Sequence, residues 1–145
     1  MKIDSPWLAL AFCLLVCNPA FGVELRSIDV RTGTDGLARE TLVINNLAAE
    51  PIICNAQIAH WYSVVLAKAD PDKIAEIEFW RDPETGTLSV LNDSAENMPV
   101  EAAWCGLAGQ AYKTRSALKL ERQPGAGQAH RSVSCHSSEN RLLCR

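Results

Sequence analysis

The cysteines of this 145-residue chain constrain its fold more than any other feature. An even set of cysteines in an exported chain indicates a framework of disulfide bonds, whereas cytosolic cysteines stay reduced. The role of the sulfur atoms therefore depends on whether the chain is exported. Of the six cysteines, two lie in an apolar N-terminal run, and four lie further along the chain, at Cys54, Cys105, Cys135 and Cys144.

The N terminus has the pattern of a secretory signal peptide. Lys2 gives a positive start, and residues 7–17 form an uninterrupted apolar run. Ala20-Phe21-Gly22 then places small residues before a cleavage site at Val23. The apolar run is much shorter than the roughly 20 residues that a membrane-spanning helix needs. We therefore predict an exported protein with no membrane span after cleavage.

This interpretation divides the chain into a signal peptide over residues 1–22 and a single β-rich domain over residues 23–145. An uncleaved anchor, or a lipid attached to Cys17, is the alternative. Cleavage removes Cys13 and Cys17, so that four cysteines remain in the mature protein. The oxidising compartments that fit such a chain are the periplasm and the secreted medium.

The four remaining cysteines form two disulfides in one of three connectivities. The segment 135–144 fits a hairpin with Glu139-Asn140 at its turn, which places Cys135 directly opposite Cys144. Cys54 then pairs with Cys105. We expect this connectivity, with a terminal cystine hairpin over residues 131–145.

Alternation of apolar and polar residues predicts that the mature chain is mostly strand. Turn residues at Asp82–Gly86 separate two strands of a hairpin, and Gln123–Ala129 is expected to be a flexible connector. Pro99 to Cys105 fits a short helix that ends at Gly106. The predicted fold is all-β, or mainly β with one short helix, arranged as a small antiparallel sandwich with two disulfides. The predicted strands are Glu40–Asn46, Ile52–Leu66, Ala75–Phe79, Thr87–Leu91 and Ser116–Glu121.

The segment Ile52–Leu66 is long for a single strand, so a break is expected near His60–Ser63. Its alternation predicts one face that carries Cys54, Ala56, Ile58, His60 and Tyr62, and another that carries Asn55, Gln57 and Ala59. From Asn45-Asn46 to Trp80 the pattern resembles an immunoglobulin-like sandwich. This resemblance concerns the fold alone and implies no activity.

Charge is distributed unevenly along the mature chain. Residues 23–110 carry a net charge of −8 and residues 111–145 a net charge of +5. Either the basic terminal hairpin folds back over an acidic sheet, or the basic end contacts an anionic partner. The total of −3 argues against nucleic acid as a partner, because neutralisation of phosphates dominates that affinity.

Residue patterns for catalysis or metal binding are weak in this sequence. It has no G-x-S-x-G nucleophile motif, no C-x-x-C pair and no cluster of cysteine and histidine at zinc spacing. A copper site needs a free cysteine beside two histidines, and all four mature cysteines are assigned to disulfides. We therefore predict no catalytic residue, no metal site and no cofactor.

Aromatic residues are the strongest candidates for binding. They occur in three clusters, and strand alternation does not allow Trp61 and Tyr62 to be buried on the same face. One interpretation places the tryptophans in the core, with Trp104 against the Cys54–Cys105 disulfide. The other exposes an aromatic ring near Asn55 and Gln57, where it suits a sugar ring or a protein partner. The candidate residues are His60, Trp61, Tyr62, Trp80 and Trp104.

Two functions are consistent with these features. The first is a periplasmic or secreted, non-catalytic binding or accessory protein, which binds an envelope protein or a glycan through an aromatic-bearing sheet face. The second is an inhibitor of an extracellular or envelope hydrolase, which presents the loop Asn92–Met98.

Overall fold

The computed structural model describes residues 30–58 and 62–145, so the predicted signal peptide lies outside the described residues. Within these ranges the protein is all-β, with nine strands and no helix. No helix long and apolar enough to cross a membrane occurs in the described part of the chain. The strands are β1 (Ala38–Asn46), β2 (Ile52–Ile58), β3 (Tyr62–Ala69), β4 (Ile74–Arg81), β5 (Leu88–Leu91), β6 (Asn97–Leu107), β7 (Ser116–Ala117), β8 (His130–Ser138) and β9 (Arg141–Cys144).

The strands follow the order β3-β2-β6-β5-β4-β1-β8-β9, and β7 also pairs with β6. Every pair is antiparallel except β1 and β8, which run parallel from Thr41 opposite His130 to Asn46 opposite Cys135. The predicted all-β fold with two disulfides is confirmed, and this one pair makes the sheet mixed rather than antiparallel throughout. Parallel neighbours need a long connection between them, and here residues 47–129, which include β2 to β7, connect β1 to β8.

Strand β6 carries the sheet from one layer of the sandwich to the other. Its first residues, 97–99, pair with β5, and residues 100–107 pair with β2, with a register shift between Gln57 and Ile58. One layer thus contains β3, β2, β6 and β7, and the other contains β5, β4, β1, β8 and β9. The layers meet where β3 packs against β4 and where β7 packs against β9. This topology departs from the two separate antiparallel sheets of an immunoglobulin domain.

The predicted helix over Pro99–Cys105 is wrong, because these residues belong to β6. Proline near the start and Gly106 after the end are typical of a helix, but tertiary pairing overrides local propensity here. Cys105 lies directly opposite Cys54 on β2, and Gly106 is buried against the backbone of Ala111. A strand satisfies both contacts. It places Cys105 at the register that the disulfide requires, and it places Gly106 against the backbone of Ala111.

Both predicted disulfides, Cys54–Cys105 and Cys135–Cys144, are confirmed. The terminal hairpin is confirmed as well, with Cys135 opposite Cys144 and with positive φ angles at Glu139 and Asn140. The sulfur atoms of Cys105, Cys135 and Cys144 lie within 4.8 Å of one another, so the disulfides of the two layers meet in the core. Two disulfides indicate an oxidising environment outside the cytosol.

A buried ion pair joins the sheet to the segment that precedes β8. The Arg81 side chain is 1% exposed, and its Nε donates a hydrogen bond to the Glu40 carboxylate. The guanidinium also donates to the carbonyl oxygens of Glu121 at 2.6 Å and Gln123 at 2.9 Å. Because of these contacts, the connector predicted to be flexible over Gln123–Ala129 is tied to the sheet at its start.

Gly86 lies under the same connector, and we expect Gly86→Ala to destabilise the protein. The residue has a φ of +75°, and a Cβ atom there would collide with the backbone of Arg122 and Gln123. Gly109 is a matched control, because its φ is +79° and no atom lies within 4 Å of an added Cβ. Positive φ alone costs about 1–2 kcal/mol. Urea denaturation should therefore show a clearly larger loss for Gly86→Ala than for Gly109→Ala, and equal losses would contradict the packing described here.

Candidate functional site

The two ends of the sheet differ in how their outer edges are covered. At one end, the Leu142 amide of β9 donates to the Thr114 carbonyl at 2.8 Å, and the Cys144 amide donates to the Ser116 hydroxyl at 2.9 Å. At the other end, β3 pairs with β2 on one side and with no described strand on the other. Among the described residues, the sheet is thus closed at β9 and open at β3.

A second open edge faces β3 from the opposite layer. Strand β4 pairs with β1 along its length, but it pairs with β5 only at Trp80 and Arg81. The last two residues of β5, Val90 and Leu91, pair with β6 and not with β4. Residues 74–79 of β4 therefore have no strand neighbour on the side away from β1 within the described ranges.

A groove with a volume of about 580 Å³ lies between these two edges. Its floor is apolar and is formed by side chains from five strands, both layers of the sandwich contributing. The floor residues are buried or half-buried, so they complete the core and also remain accessible from the groove. They are Ile58, Val64, Leu66, Ile77, Val90 and Met98.

The rim of the groove is acidic. Glu76 and Glu78 project from the same face of β4, and Asp93 lies in the turn after β5. Arg39 on β1 binds Glu78 through two guanidinium nitrogens, at 2.5 and 2.6 Å. No lysine or arginine is among the described residues that line the groove. The groove therefore combines an apolar floor with a negatively charged entrance.

Strand β3 itself is unusually apolar for an edge strand. Tyr62 is 68% exposed and Val65 is 55% exposed. Lys68 is the one charged residue of the strand, which contains no proline. Charges, proline and covering loops are the usual means by which proteins prevent an edge from pairing with another chain. Within the part of the chain that the structure describes, strand β3 has little of this protection.

The structure brings some of the predicted binding residues to the groove and leaves others away from it. Trp80 lines the groove, and Tyr62 lies opposite Ile58, which forms part of the floor. His60 and Trp61 lie outside the described residues. The predicted break in the long segment 52–66 is confirmed, because β2 ends at Ile58 and β3 begins at Tyr62.

Trp104 belongs to a different surface. It is half-buried on the outer face of its layer, opposite Asn55 on β2 and Ala117 on β7. Neighbouring residues of a strand point to opposite faces, and Cys105 points into the core. The interpretation that packs Trp104 against the Cys54–Cys105 disulfide is therefore wrong. Asn55 and Gln57 are half-buried on the same outer face, as the alternation predicted.

The predicted loop over Asn92–Met98 is confirmed over residues 92–96, which form a tight turn, and is wrong only at Asn97 and Met98, which belong to β6. The Asn92 side-chain oxygen accepts hydrogen bonds from the Ser94 amide at 3.0 Å and the Glu96 amide at 2.9 Å. Strand β6 then begins at Asn97. This turn forms one end of the groove.

The basic C-terminal segment does not fold over the acidic sheet as one interpretation expected. Strands β8 and β9 extend the sheet beside β1 instead. The one ion pair that its cations make within the described residues, Lys119 with Glu121, is internal to the segment. The hydrogen bond and charge of Lys119 lower the pKa of the Glu121 carboxyl. The acidic groove and the basic segment thus remain separate charged surfaces.

A smaller cavity of about 310 Å³ surrounds the Arg81–Glu40 pair. The Arg81 guanidinium already donates to Glu40 and to two backbone carbonyls there, so the cavity has a structural explanation. Likewise, the clustered sulfur atoms of Cys105, Cys135 and Cys144 are all in disulfides, which offer no thiolate to a metal ion.

Sequence reasoning missed most of the groove. The alternation of Glu76 and Glu78 with apolar residues is typical of a solvent-facing row, but their position on an open edge depends on where β5 stops pairing with β4. No local pattern indicates where β5 ends, because residues 87–91 alternate well enough to pair along the whole hairpin. Comparison of the chain with protein-family models gives no match, and comparison with curated proteins also gives none.

Proposed function

We propose that this chain is a periplasmic or secreted, non-catalytic binding protein that captures an extended segment of a partner protein in the groove between β3 and β4. The observation that carries this proposal is the pair of open strand edges on either side of an apolar floor. Extended peptides commonly bind by adding a strand to such an edge, with main-chain hydrogen bonds for affinity and pockets for alternate side chains.

The contrast between the two ends of the sheet supports this proposal. Residues 114–116 cover the edge of β9, and no described segment covers β3. An exposed apolar edge carries a risk of aggregation, and proteins rarely leave one uncovered without a use for it. Exposed Tyr62 and groove-lining Trp80 supply large aromatic contacts of the kind that dominate binding energy at protein interfaces.

The test is to block the edge without disturbing the fold. Val65→Lys places a charge on the exposed part of β3, and Leu143→Lys makes the same change on the covered strand β9. Both sites are exposed, so each variant should stay within about 0.5 kcal/mol of the wild-type free energy of unfolding. The tagged proteins are mixed with an envelope or secreted fraction of the native host, and the captured partner is identified and purified.

We expect Val65→Lys to weaken the affinity for the purified partner by at least about tenfold, which corresponds to about 1.4 kcal/mol, and Leu143→Lys to leave it unchanged. Equal affinity of wild type and Val65→Lys would overturn the proposal. If the partner is a hydrolase that loses activity on binding, the same groove acts as an inhibitory site.

A second candidate function rests on Trp104. Its ring lies on the outer face opposite Asn55, beside the small residue Ala117, an arrangement that suits stacking on a sugar ring. In that case glycan binding is lost in Trp104→Ala and unaffected by Val65→Lys. The two variants therefore separate the two functions.

A further inference from the structure

We propose that the groove selects an extended segment in which apolar residues alternate with lysine or arginine. This inference rests on the proposed function and specifies the chemistry of the partner. It follows from two properties of the groove, the apolar floor and the spacing of the carboxylates on its rim.

The apolar floor selects apolar side chains at every second residue of the bound segment. Successive side chains of an extended chain point to opposite sides. A segment that lies between β3 and β4 therefore directs alternate residues toward Val64, Ile77 and Met98, which are buried or half-buried apolar side chains. A charged residue at these positions would be removed from water with no partner on the floor.

The acidic rim selects cationic side chains at the residues in between. Glu76 and Glu78 are two positions apart on one face of β4, so their Cα atoms are separated by about 6.6 Å. Alternate residues of an extended segment have the same spacing, because the segment and β4 share the backbone conformation of a strand. Two cations in an i, i+2 arrangement therefore match the two carboxylates, and Asp93 adds a third negative charge at the end of the groove.

The two glutamates are not equivalent. Arg39 already binds Glu78 at 2.5 Å, and within the described residues Glu76 and Asp93 form no salt bridge. A cation of the partner must compete with Arg39 at Glu78 but not at Glu76. We therefore expect Glu76 to contribute more to selectivity than Glu78.

The test uses short synthetic peptides with valine at alternate positions and with lysine, glutamine or glutamate in between, measured by fluorescence anisotropy with the full mature protein. We expect the lysine peptide to bind about tenfold more tightly than the glutamine peptide at low salt, and the glutamate peptide to bind most weakly. High salt should reduce the difference, because ions screen exposed charges.

Protein variants locate the effect. Glu76→Gln should weaken binding of the lysine peptide about two- to fivefold and leave the glutamine peptide unaffected. Glu50→Gln is the matched control, since Glu50 is an exposed carboxylate in the turn after β1 and does not line the groove. Glu50→Gln changes the net charge by the same amount as Glu76→Gln, but at a position outside the groove.

The outcomes distinguish this inference from the proposed function. Equal affinity for the lysine and glutamine peptides, with both lost in Val65→Lys, would overturn the charge selectivity and leave the groove as a binding site. Equal effects of Glu50→Gln and Glu76→Gln would show unspecific attraction and overturn the assignment to the rim. If the protein forms a dimer by itself and Glu76→Gln abolishes that dimer, the occupant of the groove is the basic segment of a second copy. This result would overturn the proposal of a foreign partner.

Discussion

Replacing Cys54 and Cys105 together with alanine is expected to lower the free energy of unfolding by about 4 kcal/mol. The bond closes a loop with a sequence separation of 51 residues, and its loss releases the unfolded chain from that constraint. The disulfide joins β2 to the segment of β6 that carries the sheet between layers. Both cysteines are fully buried, so their removal also leaves a void in the core. Guanidinium denaturation of the oxidised proteins measures the change.

The second disulfide supplies the control. Cys135 and Cys144 are separated by 9 residues within one hairpin, so the same reasoning predicts a smaller loss of about 3 kcal/mol. The double variant at 54 and 105 should therefore be the less stable of the two. A larger loss from the hairpin disulfide would mean that the terminal strands, rather than the junction between layers, hold the sandwich together.

Arg81→Met is expected to destabilise the protein by about 3–5 kcal/mol, because it leaves the Glu40 carboxylate buried without its partner. The side chains of both residues are almost completely inaccessible to water. The substitution also removes hydrogen bonds to the carbonyl oxygens of Glu121 and Gln123. Chemical denaturation measures the loss of stability, and faster amide hydrogen exchange in residues 121–128 should accompany it.

The double variant Arg81→Met, Glu40→Leu tests the cause. Removing both charges avoids an unpaired buried carboxylate, and replacing such a pair by apolar residues is often nearly neutral. The double variant should therefore be more stable than Arg81→Met alone, although it still lacks the hydrogen bonds to the connector. If it is less stable than the single variant, the ion pair is not what determines stability at this site.

Much of the fold could be predicted from local patterns. The Cys135–Cys144 hairpin follows from a two-residue turn between the cysteines, and the turn over Asp82–Gly86 from the positions of its proline and glycine. In that turn the Asp82 side-chain oxygen accepts a hydrogen bond from the Glu84 amide at 2.8 Å. These features depend on residues that are close in sequence, so local residue patterns are enough to predict them.

Features that depend on distant contacts could not be predicted in the same way. The strand at 97–107 has the proline and glycine of a helix, and only pairing with β2 makes it extended. The parallel pairing of β1 with β8 depends on the path of the connector. The buried ion pair did leave a signal, because Glu40 continues the buried face of Leu42, and Arg81 continues that of Phe79.

The candidate site was predicted only in part. Tyr62 and Trp80 are predicted binding residues, and each lies at or beside the groove. Trp104 was grouped with them because clustered aromatic residues suggested one common binding surface. It lies instead on the outer face of the layer that contains β2. The groove itself arises because no strand within residues 30–58 and 62–145 pairs with the outer edges of β3 and of residues 74–79, which no residue pattern indicates.

Amide hydrogen exchange of the protein with and without its captured partner tests the central claim most directly. The account predicts that amides of β3 and of residues 74–79 exchange faster in the free protein than those of β9, which is covered. Binding of the partner should slow exchange along both open edges and leave β9 unchanged. Protection confined to another surface, or no change at β3 in a complex that has formed, would contradict the account.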